Sequence, residues 1–592
     1  MTIRFKFAPL LALLALPLLP ARPVAAAIRI DINGVDAELR HNVEALLSLE
    51  RYKERERLEA DAVQRLYRRV PGEVRDALRP YGYYAPRVTS SITPDERQRN
   101  WRVQISIEVG EPVLLESVSV VVHGAGASDS SFERIATAPG MRQGERLQHA
   151  AYEKLKTDLQ AVADTYGYLD ARMLRSELRV DPRALRASVF LEIETGERYS
   201  FGATRITQSA IRETQIRRYL RYRDGEGYDA VKLLRTQFAF DDSQFFSTVE
   251  VTTGTRDPAT HLVPIEIRAT RARNSYSFGA GYGTDTGVRG TVSWLNPRVN
   301  DRGHRMRVQL QVSEAKQNLN ARYDIPFGDP VREKFSMQLL TQEQDLTSTL
   351  HTRELSFRPS ITQSRGNWQR VLSASFAHNI TTDNINGRQE DNLIVPGITY
   401  SAVPEGYLGE DLFSRKLYAE LIGSHSVLGA NANFLRLNLL SERVLDLNPR
   451  WHLLLRGEVG ASAVGDFQEL PAAYRFFAGG DRSVRGFGFN SLSPRQLDPL
   501  TNALVGTGGR HLLTGTFELE RDLPHSLGVA LFTDFGNAFN RLGDPLAYSV
   551  GLGFRWRLPV ITVGIDVAKP LRAPGFAELP GPRLHLNISP KL

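Results

Sequence analysis

Residues 305–312 read Arg-Met-Arg-Val-Gln-Leu-Gln-Val, and the alternation in that stretch decides the C-terminal half of the chain. Successive side chains of a β-strand point to opposite faces, so Met306, Val308, Leu310 and Val312 share one face and Arg305, Arg307, Gln309 and Gln311 the other. The pattern returns at Leu435, Leu437 and Leu439 against Arg436 and Asn438. It returns again near the last residue, where Leu584, Leu586 and Ile588 alternate with His585 and Asn587. Such strands suit a membrane barrel, with apolar residues toward lipid and polar residues toward the lumen. A soluble sandwich shares the alternation, and its persistence into the final strand favours the barrel. At roughly 20 residues per strand and connection, residues 273–592 predict an antiparallel transmembrane β-barrel of about 16 strands.

The first of these strands, residues 276–283, reads Tyr-Ser-Phe-Gly-Ala-Gly-Tyr-Gly. Tyr276, Phe278, Ala280 and Tyr282 then face outward, and Gly279, Gly281 and Gly283 inward. Glycine weakens a strand through backbone entropy and lost packing. The seam between this strand and Leu584, Leu586 and Ile588 is therefore expected to be the weakest pairing of the barrel. The same glycines would also give clearance to a loop folded into the lumen.

The chain opens with Arg4 and Lys6, an apolar run over residues 7–19, and Ala25, Ala26 and Ala27. That order predicts a secretory signal peptide at 1–27, cleaved after Ala27. The run is short for a bilayer-spanning helix, and nothing downstream offers 18 consecutive apolar residues. The 592 residues contain no cysteine, which excludes disulfides and lipidation through a thiol. A formal net charge of +7 is modest for this length. It suits contact with anionic headgroups or simple solvation, and no nucleic-acid partner is expected.

From residue 28 to about residue 272 one pattern recurs at a spacing of about 85 residues. Tyr81-Gly82-Tyr83 is echoed by Tyr166-Gly167-Tyr168, each preceded by an amphipathic helix and followed by two strands. In a third, degenerate copy Asp242-Ser-Gln-Phe-Phe246 replaces the tyrosine turn. Each unit reads strand, helix, helix, strand, strand, with boundaries at 28–112, 113–198 and 199–272. The helices would cover one face of a three-stranded sheet and leave an edge free for strand addition or for a spacer role. The tyrosines are expected to pack helix onto sheet.

Residues 479–489 read Gly-Gly-Asp-Arg-Ser-Val-Arg-Gly-Phe-Gly-Phe, and residues 532–536 read Phe-Thr-Asp-Phe-Gly. Strand parity turns Phe532, Asp534 and Gly536 into the lumen, with Glu518 and Glu520 on the preceding strand. Gly551, Gly553, Arg555 and Arg557 face inward on the following strand, and Asp566 beyond it. Arg485 thus gains acidic candidates for a charge-assisted pair and glycines that leave it room.

Val484-Arg485-Gly486-Phe487, Phe532-x-Asp534-x-Gly536 and Gly551-x-Gly553-x-Arg555, in that order, resemble the signature of the outer-membrane assembly and secretion superfamily that includes BamA, TamA and the two-partner secretion transporters. The resemblance implies that Arg485 contacts the barrel wall at Asp534 and at Glu520, a glutamate one strand earlier. Such a buried pair is expected to specify loop position more than net stability. The α+β repeats resemble POTRA (polypeptide-transport-associated) domains, and three in tandem before one barrel resemble the TamA branch. That resemblance implies a Gram-negative outer membrane with the repeats in the periplasm. It also implies insertion or translocation of unfolded barrel clients such as autotransporters, a TamB-like inner-membrane-anchored partner and contact with outer-membrane lipid. A secretion pore for a dedicated substrate, or a component of phospholipid transport, are the alternatives.

Catalytic readings find little support. Residues 279–283 begin like a dinucleotide fingerprint, but Thr284 stands where the last glycine belongs and no βαβ unit surrounds it. Gly-x-Ser-x-Gly, phosphate-loop and zinc-spaced His patterns are missing. No enzyme activity, catalytic residue, metal or cofactor is expected.

Overall fold

The computed structural model describes residues 28–53, 60–95, 100–402, 417–559 and 561–590. The signal peptide expected at 1–27 lies outside them. The chain divides into two compact units, one built from residues up to 202 with 224–231 and 255–263, the other from 203–223, 232–254 and 264–592.

In the first unit, β1 (Ile28–Asn33), β2 (Arg87–Asp95) and β3 (Asn100–Glu108) form a sheet of order β1-β3-β2. β1 runs parallel to β3 and β2 antiparallel to it. Among the described residues four α-helices intervene: α1 (Ala37–Leu46), α2 (Ser48–Tyr52), α3 (Ala60–Tyr67) and α4 (Val70–Leu78). Pro71 sits in the first turn of α4, where no helical N–H partner is lost. Val70, Val74, Ala77 and Leu78 recur at helical spacing on its buried face. The second sheet repeats the topology with β4 (Leu114–His123), β5 (Arg172–Asp181) and β6 (Arg186–Glu194) in the order β4-β6-β5. Here α5 (Ser130–Thr137) and α6 (His149–Tyr166) supply the cover, and α6 buries Tyr152, Leu155, Leu159 and Ala163.

The repeated Tyr-Gly-Tyr now has a physical reason. Gly82 and Gly167 close their helices in the left-handed conformation, at φ of 85° and 87°. Beyond Gly167, Tyr168 is buried in the core, and its hydroxyl donates to Asp129 Oδ2 at 3.0 Å. Asp129 in turn accepts from the Ser131 N–H as the N-cap of α5. Burial would raise the Asp129 carboxyl, but these hydrogen bonds hold it below its ordinary value, and burial with the bond to Asp129 pushes Tyr168 up to about 12.

A third sheet of order β7-β9-β8 comprises β7 (Ser200–Thr207), β8 (Phe246–Thr253) and β9 (Leu262–Arg271), with α7 (Glu213–Ile216) and α8 (Ala230–Asp242) between the first two in sequence. Within the second unit, residues 210–221 are fastened to two barrel hairpins. Arg221 holds both carboxylate oxygens of Asp329 at 3.0 Å, Arg212 pairs with Asp301 at 2.5 Å, and Arg298 donates to the Ala210 carbonyl at 2.8 Å. Bidentate pairing of this kind fixes orientation as well as distance.

The barrel begins with β10 (Ser275–Gly283), β11 (Gly287–Asn296), β12 (Arg305–Ser313), β13 (Lys316–Pro326), β14 (Glu333–Asp345) and β15 (Leu350–Arg365). It continues through β16 (Trp368–Asp383), β17 (Gly387–Ala402), β18 (Leu417–Ser424), β19 (Phe434–Asn448) and β20 (Trp451–Val464). A short ribbon, β21 (Arg495–Leu497) with β22 (Leu504–Gly506), lies in the long connection that follows. The barrel then runs through β23 (His511–Leu523), β24 (Leu527–Phe539), β25 (Ala547–Arg557), β26 (Ile561–Arg572) and β27 (Arg583–Pro590), which pairs back to β10. Without the ribbon this is a closed antiparallel barrel of the sixteen strands that chain length implied. Leu310, Leu435, Leu531 and Leu552 stand exposed on the outer surface while Thr516, Asp534 and Ser549 are buried inside. Among the described residues no helix is long and apolar enough to cross a membrane, and the strands provide the apolar belt.

Replacing Asp129 with alanine removes the α5 cap and the Tyr168 acceptor together, an expected cost of about 1–3 kcal/mol. Hydrogen exchange over residues 130–137 should accelerate while the barrel amides are unchanged; protection equal to wild type would refute the coupling.

Candidate functional site: a loop clamp inside the barrel

The 465–510 connection joins β20 to β23 and folds back on itself, with Phe476 bridged to Gly509 and Ala478 to Leu492. Val484 and Phe487 are buried with Phe476 and Leu492 against Leu512, Ala538 and Ala547 of the wall. Arg485, between them, is 3% exposed. At Gly486 φ is +92°, and an added Cβ would press on Pro570 at 3.3 Å, so this position takes glycine on both counts.

The Arg485 guanidinium is held on three sides. Its Nε donates to Asp534 Oδ2 at 2.7 Å and Nη2 to Asp534 Oδ1 at 3.0 Å, a bidentate pair, and the Arg485 backbone N–H donates to Oδ2 at 3.0 Å. Nη1 donates to Glu518 Oε2 at 2.6 Å and to Asp566 Oδ2 at 3.3 Å. The Phe532 ring receives the guanidinium face, with its centroid 3.3 Å away.

The strand motif on β25 builds the room for this arrangement. Gly551 is the register partner of Phe532, and a Cβ there would run into that ring. Gly553 pairs with Asp566 across β26 and leaves space for the Asp566 carboxylate. Arg555 donates to Asp566 Oδ1 at 2.5 Å and to Glu518 Oε1 at 3.0 Å, so both acids are shared between two arginines. Gly536, two residues beyond Asp534, lies opposite Thr514.

The structure corrects one expected contact. Glu520 does not meet Arg485; it accepts from Arg557 Nη2, and Arg557 also donates to Asp522 at 2.9 Å. Parity admits Glu518 and Glu520 alike, but inward positions are about 7 Å apart along a strand, beyond a shared hydrogen bond. Register chooses between them, because Glu518 lies opposite Phe532 and Glu520 opposite Ala530.

The expected seam residues fall at the junction of β10 and β27. Tyr282 pairs with Ile588 and Gly283 with Asn587, two register pairs against eight between β26 and β27 and nine between β10 and β11. Tyr276 and Phe278 are exposed on the outer surface with Leu584, and Gly281 leaves space beside the Ile588 carbonyl. Gly279 pairs with Thr291 of β11, and Leu586 accepts at its carbonyl from the Thr284 N–H at 3.1 Å.

Three residues beside the clamp escape sequence reading: Asp285, Asp481 and His585. Their ligand-type atoms lie within 4.8 Å of one another. Asp285 is in the turn between β10 and β11, where burial and the facing Asp481 carboxylate push it up to about 6. Burial alone would raise Asp481, but the hydrogen bond from His585 keeps it below the usual carboxylate range. The inward parity of His585 was the one available signal.

The model of the Omp85 superfamily domain matches residues 273–590, and that of POTRA domain TamA domain 1 matches residues 29–109. The outer membrane protein assembly factor BamA of Neisseria meningitidis serogroup B is 23% identical over 515 residues, covering 79% of this chain and 62% of that protein. The chain thus spans less than two thirds of the length of that curated relative. The crystal structure of BamA from Haemophilus ducreyi lacking POTRA domains 1–3 superposes with a TM-score of 0.64 at 14% identity, over 81% of this chain and 99% of that one. The likeness to the solved structure is one of fold.

The correction from Glu520 to Glu518 is testable. Glu518→Gln should raise hydrogen exchange at the Arg485 and Gly486 amides by roughly tenfold or more, the loss of one charge-assisted bond. Glu520→Gln should leave them unchanged; the reverse ranking would refute the assignment.

Proposed function

This chain belongs to the Omp85 superfamily, and on that premise we propose that it is an assembly factor that inserts or translocates β-barrel clients, autotransporters among them. Its barrel resides in the outer membrane, with the POTRA region in the periplasm. We further propose that all three βααββ units, at 28–112, 113–198 and 199–272, are POTRA domains and that a TamB-like protein anchored in the inner membrane works with them. The match of the first unit to a TamA-type POTRA domain supports that branch.

The observation that carries this reading is the short β10–β27 seam, two register pairs long. Among the described residues, the remainder of β10 presents backbone N–H and C=O groups with no register partner on β27. In hydrocarbon, unpaired backbone groups cost several kcal/mol each. An incoming client strand supplies partners by β-augmentation, so docking at the seam is favoured by the membrane itself. Growth of a client hairpin at this edge, with β27 moving aside, uses backbone pairing and requires no nucleotide. Recognition through backbone groups also suits clients of varied sequence.

The chain has no cysteine, so an introduced pair forms one defined bond. Tyr282→Cys with Ile588→Cys joins register partners whose Cα separation in an antiparallel ladder, about 4.5–5.5 Å, matches disulfide geometry. Oxidised protein should lose client insertion into vesicles and regain it on reduction. Full activity with the seam locked would exclude lateral opening.

A further inference from the structure

We propose that Asp481 is a positioning residue that ties the Arg485 loop to both strands of the seam, so that the loop must let go before the barrel can open. The inference extends the lateral-opening reading and rests on it for its functional meaning, while the tie itself stands on separate geometry.

Asp481 is four residues before Arg485, on the same loop. Toward the first hairpin, its N–H donates to Asp285 Oδ2 at 2.5 Å, and its Oδ1 accepts from Thr284 Oγ1 at 3.2 Å. Toward the last strand, the same Oδ1 meets His585 Nδ1 at 2.5 Å. His585 is 2% exposed, and its other nitrogen, Nε2, accepts from the Gly486 N–H at 2.8 Å. Thr284 also closes onto Leu586, its Oγ1 accepting from the Leu586 N–H at 3.3 Å. One loop therefore holds the end of β10 and the middle of β27 together, just where the strand register is short.

The hydrogen bonds assign the proton on His585. A backbone N–H can only donate, so Nε2 is the bare nitrogen and Nδ1 carries the hydrogen that Asp481 accepts. A divalent cation among Asp285, Asp481 and His585 would need Nδ1 as its ligand, and that position is taken by the proton. The trio is thus a hydrogen-bonded latch, with the Asp481 carboxylate as its shared acceptor.

The latch is continuous with the clamp. His585 is the register partner of Asp566, which binds both Arg485 and Arg555. Withdrawing β27 from β10 separates His585 from Asp285 and Thr284, and Asp481 cannot follow both. It would also pull the acceptor away from Gly486, next to Arg485. Opening the seam and freeing the loop become one event, a two-state element biased from either end.

The test uses the full chain in lipid nanodiscs, read by hydrogen exchange at the seam and in the loop. Asp481→Ala should speed exchange at Thr284 and at residues 586–588 by roughly 10- to 100-fold, the loss of a hydrogen bond to a charged group. Asp481→Asn keeps an acceptor for Nδ1 and for Thr284 and should restore most of the protection. A purely local packing role for Asp481 would loosen the loop in both variants and leave the seam alone, and that result would overturn the latch. If the seam loosens in Asp481→Ala but client insertion is unchanged, the latch stands and the lateral-opening reading falls. If seam exchange matches wild type in Asp481→Ala, the latch falls whatever the client assay returns.

Discussion

A guanidinium taken out of water inside a barrel is tolerated when its N–H groups find acceptors and its charge finds counter-charge. Arg485 meets that demand with Asp534, Glu518 and Asp566 at its edge and Phe532 beneath its face. Much of the neighbouring wall is organised around it. Gly551 is bare so that Phe532 can lie flat, Gly553 is bare so that Asp566 can reach inward, and Arg555 balances acids that Arg485 alone would leave in excess. Breaking such a cluster by removing one member leaves buried charge uncompensated, typically at about 3–5 kcal/mol. The arrangement therefore fixes one position for the loop and penalises others.

The barrel was legible because its signal is long-range and simple. Alternation at residues 305–312 and 584–588, with strand length, gives sixteen strands and assigns faces. Parity likewise placed Asp534 in the lumen, where it stands 2.7 Å from Arg485. Parity says nothing of the stagger between neighbouring strands, and stagger is what separates Glu518 from Glu520. The clearance roles of Gly551 and Gly553 depend on the same cross-strand register. Asp481 and His585 are 104 residues apart, on a loop and a strand, and no local pattern links them. In the repeats, the recurrence of Tyr-Gly-Tyr was plain in the sequence, whereas the left-handed helix ends at Gly82 and Gly167 and the bond from Tyr168 to Asp129 needed the folded chain.

The seam and the clamp could be separate parts, one that opens and one that holds. Here they share residues one register pair apart. The β10–β27 junction is short in backbone pairing, and side chains of the loop supply some of what the ladder lacks. A barrel closed by side-chain hydrogen bonds at its weakest joint can stay sealed at rest and still open without unzipping a full strand. That is the physical compromise an insertion device in a membrane has to reach.

The clamp itself is tested most directly by a double-mutant cycle on Arg485→Ala and Asp534→Ala, read as hydrogen exchange of residues 479–489 in the full chain. If the two residues position the loop through each other, the double variant should lose little more protection than either single one. Losses that add across the cycle would mean that Arg485 and Asp534 act independently, and the clamp would not be what holds the loop.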